Sequence, residues 1–210
     1  LGWSIDPKRA TQAWHGYLWT GRTNEALLPK LLPYYKASFA RLASDLESMR
    51  SRFTEYLADI TVRSTLNPLR EGWLDSFLAR AEPQDHAAWA RFVEISLRGM
   101  PEDYRRNLWQ RWMSDYWKKR SQGIPRPLGP GEFEAMIHWA PELVPVFPEV
   151  VDRICANPAP VMQHPFIFHE LAKSNLPETH PVPVAKLLLH LIKEAKSPFW
   201  HLPETADMVT

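Results

Sequence analysis

The chain has a single cysteine, Cys155, among 210 residues. One thiol excludes an internal disulfide framework and any multi-cysteine zinc site, and it fits a reducing compartment such as the cytoplasm. Glycine is scarce as well, with 8 in the whole chain. No G-x-G-x-x-G, Walker A run or G-x-S-x-G elbow occurs, so the usual phosphate cradles and the exposed nucleophilic serine are missing. No window approaches about 18 consecutive apolar residues, which excludes a membrane-spanning helix. The opening Leu1-Gly2-Trp3-Ser4 lacks the basic and apolar regions of a signal peptide. Its lack of a methionine points to a fragment of a longer protein. Neither sign of charge dominates: 25 basic residues face 24 acidic ones, a net charge of +1. A protein that neutralises many phosphates carries a clear basic excess, so this balance weighs against nucleic acid as the main partner. Hairpin turns of the Asn-Gly or Asp-Gly kind are absent, and so are extended β-branched alternating runs.

What the chain does have is 10 tryptophans and 20 prolines. The prolines punctuate, and the aromatics between them recur at helical spacing. Asp6-Pro7 supplies an N-cap and a first-turn proline, predicting a helix from Pro7 to Trp19. Pro29 and Pro33 predict a broken or first-turn helix before Tyr34, and the strong periodicity from Tyr34 to about Arg63 reads as two helices or one long bent one, with the break near Ser44-Asp45. Asn67-Pro68 and Glu82-Pro83 open the next helices, the second with Ala88, Phe92, Ile95 and Met100 facing inward. Met100-Pro101-Glu102-Asp103 starts the longest run, through Lys119 to a stop at Gly123. Shorter helices are expected over about 132–139, 148–156, 165–174 and 182–195. The fold class is therefore all-α: an irregular array of about nine to eleven short helices, like a HEAT or armadillo α-solenoid. The Pro- and Gly-rich run at residues 124–131 divides it into an N-terminal subdomain (1–123) and a C-terminal one (132–210), packed as one continuous domain.

Tyr104 to Lys119 interleaves Trp109, Trp112, Tyr116 and Trp117 with Arg105, Arg106, Arg111 and Lys118, a composition that can stack bases and hold phosphates. Placed at about 100° per residue, Tyr104, Leu108, Trp109, Trp112, Met113 and Tyr116 share one arc of about 180°, which reads as a buried face. The basic residues scatter, and Trp117 alone of the aromatics falls off the arc. The candidate interaction residues are accordingly Trp117, Lys118, Lys119, Arg120 and Arg126, together with Trp14, Trp19 and Trp200 at helix ends or loops. A helical module that binds a protein partner or self-associates is the leading expectation, with nucleic-acid binding through residues 109–126 as the alternative.

Catalysis finds little footing. His164 and His169 are five apart, missing the i, i+4 spacing of two ligands on one helix face. His164, His169 and Glu170 would act together only if they converged in a pocket. Cys155 reads as a small buried hydrophobe. Glu132 and Glu134 stand at a predicted helix start, where the helix dipole accounts for an acid. No catalytic residue, cofactor or metal ligand is assigned.

Val184-Ala185-Lys186-Leu187-Leu188-Leu189-His190-Leu191-Ile192-Lys193-Glu194-Ala195, followed by Ser197-Pro198-Phe199-Trp200-His201, resembles the end of a helical domain of unknown function. That domain occurs at the C-termini of large bacterial proteins whose N-terminal part resembles a SIR2-type NAD-consuming module. The pattern of short helices from Trp73 onward is similar too. The resemblance implies no catalytic residues in this region. It implies instead the sensing, scaffolding or self-assembly arm of an antiphage defence protein.

Overall fold

A computed structural model of the chain describes residues 7–19, 26–39, 41, 47–156 and 166–194. Among these residues every regular element is helical and there is no strand. Contacts gather into two compact units, Leu1–Val93 and Glu94–Thr210. The division falls inside one helix, and the Pro/Gly-rich run at 124–131 lies within the second unit.

The first unit holds α1 (Pro7–Trp19), α2 (Leu28–Phe39), α3 (Arg50–Arg63), α4 (Trp73–Arg80) and the start of α5 (Pro83–Arg98). α1 has the expected bounds. α2 does not break at Pro33, contrary to expectation. Proline removes one backbone hydrogen bond, but burial of Leu32, Tyr35, Ser38 and Phe39 from the same helix outweighs that loss. An aromatic ladder forms the core: Trp14 lies 4.7 Å from Tyr35 and 5.1 Å from Phe53 between ring centroids, and Phe39 links Phe53 at 5.8 Å to Phe77 at 5.6 Å. Each such pair adds about 0.5–1.5 kcal/mol beyond the area buried.

Two polar side chains set helix starts. Asn67 Oδ1 accepts from the backbone N–H groups of Leu69 and Arg70, closing a turn that Gly72 ends in the left-handed region at φ +67°. Asp85 accepts from the N–H of Glu82 at 3.0 Å at the head of α5. The inward face of α5 is a correction to the sequence reading. Its buried stripe is His86, Trp89, Ala90, Val93, Glu94 and Leu97, while Ile95 is 55% exposed. That stripe has helical spacing but includes two ionisable residues, which carry no apolar signal in the sequence.

The second unit continues through α6 (Glu102–Leu108), a π-helical segment (Trp109–Met113) and α7 (Ser114–Ser121). Then follow α8 (Pro130–Ile137), α9 (Trp139–Glu142), α10 (Phe147–Cys155), α11 (Ile167–Lys173), α12 (Leu176–Thr179) and α13 (Pro181–Glu194). Its core centres on Trp139, whose ring lies 5.9 Å from Tyr116 and 6.4 Å from both Trp112 and Trp117. α10 packs against α13, burying Val150, Val151 and Ile154 on one side and Val184, Leu187, Leu188 and Leu191 on the other.

Candidate functional site

The π segment decides where the aromatic and basic residues of the 104–126 region go. A π turn holds one residue more than an α turn, so everything after Met113 is displaced by about 100° around the axis. On an uninterrupted wheel Trp117 would face outward. With the extra residue it rejoins the apolar arc and is 1% exposed. Trp109, Trp112 and Tyr116 are buried as well, so none of the four presents a ring face on which a base could stack.

Arg120 is also buried, correcting its assignment to the surface. Its Nε and Nη2 donate to Glu132 Oε1 and Oε2 at 2.7 and 2.8 Å, and Nη1 donates to the carbonyls of Ile124 and Arg126 at 2.6 and 3.0 Å. The Tyr116 hydroxyl adds a 3.2 Å bond to Glu132. Burial alone would lower the guanidinium pKa, but the bonds and charge of Glu132 more than offset that and leave it raised. Glu132 thus answers a buried arginine, and the helix dipole is not its main reason. The pair pins residues 124–126 to the end of α7. Of the other candidates there, Lys118 is exposed and Lys119 and Arg126 are half-buried.

Trp14 is buried, its indole N–H donating to Ser38 Oγ at 2.8 Å. Trp19 is 73% exposed, with His15 stacked on it at 5.6 Å and the Arg52 guanidinium 6.0 Å from its centroid. Trp200 and His164 lie outside the described residues.

Glu170 does meet a histidine, though not His169, which is exposed. Its Oε2 lies 2.5 Å from His138 Nδ1, and its Oε1 lies 3.3 Å from Arg98. Arg98 also pairs with Glu94 one turn earlier and with Glu142 at 3.5 Å, and Glu142 in turn meets Arg105 at 3.2 Å. Three carboxylates and two guanidinium groups converge there with His138. Burial pushes the Glu94 and Glu142 carboxyls up, against the pull of Arg98 and of His138 or Arg105. The bonds satisfy one another across four helices, which is the arrangement of a tie. Among the described residues no group of three or more potential ligands is placed to hold a metal ion.

Cys155 is half-buried and its thiol pKa is pushed up by burial, which disfavours the reactive thiolate.

The outer face of α13 is the feature that sequence reading missed. Val182 is 76% exposed and Leu189 is 69% exposed, one heptad apart. Half-buried Ala185 and Ile192 continue the apolar stripe, and exposed Lys186 and Lys193 run along its edge. The inner leucines were legible from spacing. The outer pair hid among them because nearly every residue of this helix between Val182 and Ile192 is apolar.

The geometry defines an all-helical module with one apolar face turned outward. Residues 60–200 match the family described as a domain of unknown function, DUF4020, and the chain belongs to that family. No curated protein and no solved structure matches it. Among the described residues no helix is long and apolar enough to cross a membrane.

Proposed function

We propose that this chain is a non-catalytic interaction module of a larger bacterial protein, and that α13 is its docking element. The observation that carries the reading is the exposure of Val182 and Leu189 on one face beside Lys186 and Lys193. Two large apolar side chains left in water one heptad apart forgo about 1.5–3 kcal/mol each on burial, which a partner helix supplies. The lysine row selects an acidic amphipathic helix. A second copy of α13 would bring the two lysine rows together, and like charges in contact cost affinity. On this reading, which the likeness of residues 184–201 to the arm of SIR2-like, antiphage-type proteins suggests, an NAD-consuming module stands elsewhere in that protein. HEAT- or armadillo-like pairing is the architecture this reading adopts, supported within the second unit by the packing of α11 on α12 and α12 on α13.

A Leu/Glu heptad peptide titrated into the full chain should bind saturably, while a Leu/Lys peptide should not. Val182→Asp with Leu189→Asp should abolish binding and leave the unfolding midpoint in place, because both side chains are already exposed. The nucleic-acid alternative predicts the reverse: tight binding of duplex DNA at low salt and no response to the Leu/Glu peptide.

A further inference from the structure

The π segment has a second consequence. A cleft of about 330 Å³ opens between Trp109, where the segment starts, together with Ser114, the first residue of α7, and the outer side of α10, where Glu149, Asp152, Arg153 and the C-cap Ala156 line the wall. The spacing i, i+3, i+4, i+7 puts those four residues on one helical face. A π turn has poorer hydrogen-bond geometry than an α turn and is found disproportionately at functional sites. Here it widens the helix beside a polar wall.

Cross-bonds orient the wall. The Trp109 indole N–H donates to Glu149 Oε2 at 3.2 Å, Arg153 Nη2 donates to Ser114 Oγ at 3.2 Å, and Lys186 Nζ donates to Asp152 Oδ1 at 2.7 Å. Each uses one atom of a group with further capacity. Among the described residues Glu149 Oε1 and Asp152 Oδ2 take no hydrogen bond, and Arg153 gives only one of its five N–H groups. Lys186 is about half exposed and its pair with Asp152 is open to water, so a ligand cation can displace it at little cost. The result is two spare carboxylate oxygens and a spare guanidinium edge around one cleft.

We propose that this cleft binds a small zwitterion: its ammonium or guanidinium group on Glu149 and Asp152, its carboxylate on Arg153. A basic amino acid such as arginine has that chemistry. The inference shares Lys186 with the docking role of α13, but its variants leave Val182 and Leu189 untouched, so the two fail separately.

Calorimetric titration of L-arginine into the full chain tests it, with agmatine, which lacks the carboxylate, as the comparison ligand. A saturable one-to-one isotherm is expected, weakened at least tenfold by Glu149→Gln and at least fivefold for agmatine. Glutamine retains an oxygen for the Trp109 indole, so the variant should keep its unfolding midpoint. Where the midpoint falls, Asp152→Asn on the outer rim replaces it, with the same expected loss. Absence of saturable heat, an unchanged isotherm in the variant, or equal affinity for agmatine and arginine would overturn the proposal.

Discussion

Glu132→Ala should be among the most damaging single substitutions in the second unit. In the native chain the Arg120 guanidinium has four hydrogen bonds, two of them to Glu132, and is fully buried. Removing the carboxylate takes the counter-charge from a buried cation that keeps its bonds to the carbonyls of Ile124 and Arg126, and it also removes a partner of the Tyr116 hydroxyl. Breaking one side of a buried ion pair costs about 3–5 kcal/mol. Set against a typical total of about 5–15 kcal/mol, that is a large share of the stability. Arg120→Met should cost a similar amount, because it takes the counter-charge from buried Glu132 and frees the two loop carbonyls. The double variant Arg120→Met with Glu132→Leu should recover about half of the loss, since apolar replacement of a buried pair is often close to neutral. It should stay short of wild type by about 1 kcal/mol for each of the two loop hydrogen bonds. Urea unfolding followed by far-UV circular dichroism gives all four stabilities. Single-variant losses below about 1 kcal/mol, or a double variant no better than the singles, would refute the account of this pair.

Two further perturbations bear on the same unit. Burial raises the Glu94 carboxyl pKa, so the folded state binds its proton more tightly than the unfolded chain does. Its contribution is complete below the ordinary carboxylate range and is lost as the pH rises through the raised value. Thermal unfolding from pH 4 to 7 should therefore show a smaller downward drift with rising pH in Glu94→Gln than in wild type, and an identical drift would count against the burial argument. Gly123 ends α7 at φ +75°, a conformation that an L side chain adopts only with strain. A Cβ there would make ordinary contact with Pro127 Cα at 3.7 Å, so the cost of Gly123→Ala is conformational, about 1–2 kcal/mol in urea unfolding.

Much of the fold was legible because proline and leucine mark helices locally. α1, α10 and α13 appear within a residue or two of their expected bounds. The failures have physical causes. α5 buries His86 and Glu94, and polar members of a stripe carry no hydrophobic signal until their partners are known. The π segment leaves no compositional mark, yet one added residue turned Trp117 inward and so emptied the supposed aromatic-basic surface. Arg120 and Glu132 are twelve residues apart, so neither could be recognised as the other's partner from spacing on one helix. α13 showed its buried face at once, whereas Val182 and Leu189 differ from their neighbours only in their exposure, with no described residue packed over them.

Hydrogen exchange along α13, with and without the Leu/Glu helix, tests the docking claim most directly. Slower exchange confined to the turns from Val182 to Lys193, and lost with Val182→Asp and Leu189→Asp, is the expected result. Protection that appears around Trp19 or the 118–126 segment, with α13 unchanged, would contradict it.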